Sequence, residues 1–183
     1  MSDAPPVNGH PPALARSLRG ARGLVVCSTL ELLALAVWVG GLVVIVAAVI
    51  PAVFNTFGME PGGRFLTRVF DGYNRLTVGA IVVLAAAAAW RLRVDRAGLG
   101  RAEIALLALM AGVAAVIMLW LGPRSIGLQE QAFAAQGEAE RKVAYEAFFR
   151  THTVVRGLYL LNLGLGVAVL TVKARAWRMN SPF

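Results

Sequence analysis

Charge is scarce in this sequence. Asp, Glu, Lys and Arg make up 15% of its 183 residues, against 58% hydrophobic, and mean hydropathy is +0.67. Soluble domains carry about 25% charged residues, so this composition argues against a soluble fold. Cysteine is scarcer still: Cys27 stands alone, which excludes an intramolecular disulfide and leaves the redox compartment unread. There are two histidines, His10 in the N-terminal tail and His152 near the far end. A haem held by two histidines is thereby excluded, because the two fall on opposite sides of the membrane in the topology derived below. A copper site at His152 needs a soft partner such as Met118. No nucleotide loop, zinc-ligand cluster or Ser/His/Asp set can be assembled, so no catalytic residue, metal or cofactor is expected.

What the chain has instead is four long apolar runs. Leu24–Ile50 is 27 residues with Glu31 as its one charge, and Leu76–Trp90, Ile104–Pro123 and Gly157–Val172 have none. A helix rises 1.5 Å per residue, so ~20 residues cross a ~30 Å hydrocarbon layer. The first and third runs meet that length. The second and fourth are shorter and are framed by Arg75 and Arg91 and by Arg156 and Lys173, whose heads can reach the interface while their stems lie in lipid. The net charge of +8 would suggest nucleic acid in a soluble protein. With the basic residues gathered at the ends of apolar runs, it points to anionic lipid headgroups, and no nucleic-acid partner is expected.

Two runs have amphipathic lead-ins. Phe65, Val69, Tyr73 and Leu76, flanked by Leu66 and Phe70, share a face ahead of the second, with Pro61 and Gly62-Gly63 marking the start. Ala144, Tyr145, Phe148, His152 and Val155 share one ahead of the fourth, continuing through Tyr159, Asn162 and Gly166. The expected fold is all-α: an integral membrane four-helix bundle over residues 23–178, with helices 2 and 4 extended beyond the outer face. Pro5, Pro6, Pro11 and Pro12 predict a disordered tail over 1–22, and 179–183 form a short C-terminal tail. The ten basic residues in the N-terminal tail, the 91–101 loop and the C-terminus lie close to span ends, with eight on the other side. Positive charge in short loops marks the cytoplasmic side, so both termini are expected there, with the protein multi-pass in the plasma (cell inner) membrane.

Trp38-Val39-Gly40-Gly41, Ile50-Pro51-Ala52-Val53-Phe54, Gly62-Gly63, Phe70, Tyr73, Phe148-Phe149-Arg150-Thr151-His152 and Asn162-Leu163-Gly164 stand in an order that resembles the transmembrane protein 205-like family. The likeness covers roughly residues 24–172. It implies a four-helix membrane domain and no established reaction.

Candidate interior positions follow from the residues themselves. Glu31 lies nine residues beyond Arg22, ~14 Å of helix, where a bare carboxylate is costly. It either moves protons or cations, or orients helices as a protonated or hydrogen-bonded group. Asn162 lies eleven residues from Lys173, ~17 Å of helix, so the pair is expected at similar depth on neighbouring first and fourth helices. Trp38 and Arg156 fall at matching depths and allow a cation–π contact. Gly40, Gly41, Gly164, Gly166 and the Ala85–Ala89 run permit close helix approach. His152 is expected to bond a neighbouring helix or the loop around Pro51. Trp90, Trp177 and Trp120 suit interfacial belts.

The function these features favour is a non-enzymatic membrane scaffold or partner subunit, with lipids and a second copy or another membrane protein as partners. The alternative is a small oligomeric transporter or channel using Glu31 and Asn162. An enzyme or copper carrier built on His152 ranks last.

Overall fold

In the computed structural model, which describes residues 11–94 and 100–180, the chain forms four long helical rods. The first, α1 (11–57), joins α-helical stretches Pro11–Leu35, Gly41–Val44 and Ile50–Phe57 through π-helical turns at Ala36–Gly40 and Ile45–Val49. The second, α2, is Met59–Val94. The third, α3 (101–134), is Arg101–Val116 and Gly122–Ala134 with a π turn at Ile117–Leu121 between them; the fourth, α4, is Glu138–Asn180. Each rod contains a segment long and apolar enough to cross a membrane: Gly23–Phe57, Met59–Arg93, Arg101–Ala134 and Glu138–Ala176. In the most apolar window of each segment, no more than 33% of residues are buried inside the protein. Such a bundle turns much of its apolar surface outward, as lipid rather than water requires.

Two of the π turns share a cause. Pro51 and Pro123 each follow one by two residues. A proline lacks the N–H that would bond four residues back, and its ring presses on that carbonyl. Widening the preceding turn accommodates the ring without ending the helix. The rods therefore continue through both prolines, to Phe57 and Ala134, and all four helices extend past the apolar runs, not α2 and α4 alone. At the third π turn, Ala36–Gly40, the Trp38 carbonyl accepts a hydrogen bond from the Tyr73 hydroxyl at 2.8 Å. An outside donor competing for a ladder carbonyl opens the turn in the same way.

The ends of the rods correct two expectations. Helix begins at Pro11, so residues 11–22 extend α1 where a disordered tail was predicted; residues 1–10 lie outside the described residues. The break before α2 is Gly58 alone, whose φ of 74° is open to glycine and strained for other residues. Pro61 and Gly62-Gly63 fall inside the first turns of α2, where a missing N–H costs nothing.

α1 packs between α2 and α4, and α3 packs along α4. Gly166 makes the α1–α4 approach possible: a Cβ there would overlap Val39 Cγ2. Each rod buries one stripe at helical spacing. In α1 it is Leu35, Trp38, Leu42 and Ile45; in α2, Leu66, Tyr73, Thr77, Ala80, Leu84 and Ala87; in α3, Met110, Val113, Ala114 and Ile117; in α4, Val155, Asn162 and Val169. The α4 stripe follows the predicted face. The α2 stripe takes one side of the apolar face: Tyr73 and the flanking Leu66 are buried together with Thr77, while Phe65 and Leu76 are 47% and 60% exposed.

Candidate functional site

Extending each buried stripe toward the chain-terminal end of the bundle reaches one charged side chain per rod. Glu31 precedes Leu35 by four residues, Arg91 follows Ala87 by four, Glu103 precedes Met110 by seven and Lys173 follows Val169 by four. All four turn inward and meet. Lys173 Nζ donates to Glu31 Oε2 at 2.5 Å and to Glu103 Oε1 at 2.5 Å. Arg91 Nη1 donates to Glu31 Oε2 at 3.0 Å and lies 3.5 Å from Glu103 Oε1. Each carboxylate thus faces both cations, and among the described residues of the cluster two formal negative charges stand against two positive ones. Glu31, Glu103 and Lys173 are buried, and Arg91 is nearly so.

Charges removed from water are costly, and a pair recovers that cost only with short contacts and satisfied hydrogen bonds. Here the contacts are short and each ion comes from a different rod. Sliding or rotating any one rod would strand a charge. The cluster therefore fixes the register of all four helices at once.

A second polar layer lies further along the bundle, toward the turns at Gly58 and 135–137. Tyr73 of α2 donates to the Trp38 carbonyl of α1. Tyr159 of α4 donates to Asn74 Oδ1 of α2 at 3.1 Å, and its ring lies 5.2 Å from that of Phe70. Asn162 Nδ2 of α4 donates to the Met110 carbonyl of α3 at 3.3 Å. Trp38, Tyr73, Asn74, Thr77, Ala114, Ile117, Met118, Tyr159 and Asn162 surround a small recess of about 10 Å³. At the opposite end from the ion cluster, Arg64 bridges α2 to Glu130 of α3 at 2.8 Å and lies over the Phe133 ring.

The structure separates several residues that the sequence placed together. Glu31 pairs with Lys173 and Arg91, and Asn162 bonds the Met110 carbonyl about 17 Å along α4 from Lys173, so the two do not share a depth. Arg22 and Lys173 do not mark a membrane edge: Lys173 is turned inward, and α1 starts well before Arg22. Trp38 is buried while Arg156 is exposed, and among the described residues the cation–π contact falls elsewhere, at Arg64 and Phe133. His152 is half-buried and stacks on Phe148 with ring centres 5.1 Å apart, whereas Pro51 is exposed; no hydrogen bond joins His152 to another helix among the described residues. Gly41 packs on Tyr73, where a Cβ would lie 3.2 Å from Cε2, but Gly40 and Gly164 have open space. Among the described residues no three His, Cys, Asp or Glu side chains gather as metal ligands.

Arg91 and Lys173, expected to send their heads to the interface, turn inward instead, and Glu103 is a cluster residue with no sequence expectation attached. Their signal was periodicity: Lys173 is eleven residues, close to three turns, from Asn162 and so lies on the same face.

Comparison with known proteins adds one assignment. A family model described as a domain of unknown function, DUF4149, matches residues 33–134, more than half of the chain. The chain belongs to the DUF4149 family. No curated protein and no solved structure matches it. The DUF4149 match spans α1 from Leu33 through α3 to Ala134. It includes Arg91 and Glu103 and stops short of Glu31 and Lys173, so the cluster combines two charges inside the matched region with two outside it.

Proposed function

We propose that this DUF4149 protein is a non-enzymatic membrane scaffold or partner subunit of the plasma membrane, with both termini cytoplasmic. The observation that carries the reading is the state of Glu31. The one charge in the first apolar run is held between Lys173 and Arg91, each from another rod. A carboxylate held this way serves to tie helices, whereas a carrier needs one that ions can reach and leave. The small size of the interior recess supports the same reading, since about 10 Å³ admits nothing larger than a water or a bare ion. Those two features weigh against the alternative, a small oligomeric transporter or channel using Glu31 and Asn162.

The cytoplasmic placement rests on the basic residues at the Glu31 end, of which Arg93, Arg101 and Arg175 are exposed toward headgroups while Arg91 and Lys173 serve the cluster. The finer kinship to the transmembrane protein 205-like family belongs to the same proposal; its support is the ordered set from Trp38 to Asn162. Gentle purification of the full chain from membranes, with identification of copurified proteins, tests the scaffold reading alongside proton and cation flux in proteoliposomes. A stoichiometric membrane-protein partner, with flux no higher than in protein-free vesicles, is the expected result. Flux that Glu31→Gln abolishes would overturn it.

A further inference from the structure

The recess between the rods has more hydrogen-bonding capacity than the protein fills. Asn162 is 3% exposed, and its amide nitrogen is used on the Met110 carbonyl. Its Oδ1 has no hydrogen-bond partner among the described residues; the hydroxyl of Thr77, also 3% exposed, lies beside the Tyr73 hydroxyl without a well-formed hydrogen bond. Both residues line the recess, one from α4 and one from α2. The large majority of buried side-chain polar atoms are paired in native proteins, so an unpaired amide oxygen and an under-used hydroxyl facing one small space indicate something that pairs them.

We propose that this recess is a binding site for one ordered water molecule, which bridges Asn162 of α4 to Thr77 of α2 inside the membrane-spanning bundle. The volume of about 10 Å³ is near the minimum that holds a single water. The hydrogen-bond inventory also balances. Asn162 Oδ1 accepts only, so it takes one water proton. Thr77 donates its hydroxyl proton to the water oxygen or accepts the second water proton. The Tyr73 oxygen, whose proton goes to the Trp38 carbonyl, retains lone pairs at the same wall.

A cation fits these surroundings poorly. The lining includes no carboxylate, and its oxygen donors are hydroxyl and amide groups in an otherwise aromatic and aliphatic wall. An ion there would face the cost of a buried unpaired charge, whereas a neutral water with two to four polar partners does not. The water would complete a polar layer in which every rod takes part: α1 through the Trp38 carbonyl, α3 through the Met110 carbonyl, α2 through Tyr73 and Thr77, and α4 through Asn162.

A crystal structure of the full chain in lipid, at about 2 Å or better, reads the site directly, with Thr77→Val melting as a second readout. The proposal expects one isolated density peak at about 2.7–3.2 Å from both Asn162 Oδ1 and Thr77 Oγ1. Valine keeps the shape of threonine but strips the water of a partner, so Thr77→Val should lower Tm by about 2–4 °C. A recess without density overturns the proposal, as does a peak ringed by five or more oxygens at about 2.3–2.6 Å, which is cation geometry. A rise in Tm for Thr77→Val also overturns it, because removing a hydroxyl that has no partner is stabilising.

Discussion

Lys173 and Glu31 are 142 positions apart in sequence and meet at 2.5 Å inside the bundle, joining α4 to α1. The same ammonium holds Glu103 of α3, and Arg91 of α2 lies against both carboxylates. One side chain thus connects directly to two other rods and through their carboxylates to the fourth. The apolar surfaces of these helices can slide against lipid and one another with little penalty, since lipid is as apolar as leucine. Register has to come from polar groups and from close-fitting shapes, and the ion cluster supplies the polar part.

Breaking the cluster on one side should be far worse than removing a matched pair. Lys173→Met leaves two buried carboxylates facing Arg91, and the loss of one partner from a buried network costs about 3–5 kcal/mol. Adding Glu31→Gln to Lys173→Met removes one charge of each sign from these four residues and leaves the Arg91–Glu103 pair. The double variant should be more stable in detergent melting than Lys173→Met alone. Strictly additive losses would show that the four ions do not act as a unit.

Shape complementarity gives a second test. Gly166→Ala places a methyl where Val39 Cγ2 already lies, and such overpacking costs about 1–3 kcal/mol. Val39→Ala vacates that space, so the pair Gly166→Ala with Val39→Ala should recover most of the lost stability. Gly164→Ala, at a glycine with open space around it, serves as the control and should melt close to the parent protein.

The tyrosines of the second layer should have modest, separable effects. Tyr73→Phe removes the bond to the Trp38 carbonyl and Tyr159→Phe the bond to Asn74. Interhelical hydrogen bonds in membranes average about 0.6 kcal/mol, so each change should lower stability by roughly that amount in unfolding titrations. Loss of all folded protein on Tyr73→Phe would mean that the π turn at Ala36–Gly40 depends on this one donor.

Much of the fold was legible because lipid imposes a plain rule: long apolar runs become helices that cross. The inward face of α4 was legible too, since Tyr145, Phe148, Val155, Asn162 and Gly166 recur at helical spacing. The apolar face of α2 does not by itself show which of its residues turn inward. In a membrane protein Leu76 is as comfortable facing lipid as facing Tyr73, so hydrophobicity alone does not orient a rod. The site was misread for the complementary reason. Arg91 and Lys173 look like ordinary basic flanks, and only their position on the buried stripes marks them as interior. The continuation of α1 through Pro51 was hidden because a proline normally signals a break, and the widened turn that tolerates it has no local sequence signature.

Cysteine cross-linking of the full chain in native membranes, in a Cys27→Ser background, reads the register of α1 against α4. Residue 31 of α1 lies beside residue 173 of α4 and about three turns of α4 away from residue 162. A Glu31→Cys, Lys173→Cys protein should form an intramolecular cross-link rapidly with a short oxidant or bifunctional reagent, and Glu31→Cys, Asn162→Cys should not. Efficient cross-linking between 31 and 162, with none between 31 and 173, would contradict the cluster and the helix register built on it.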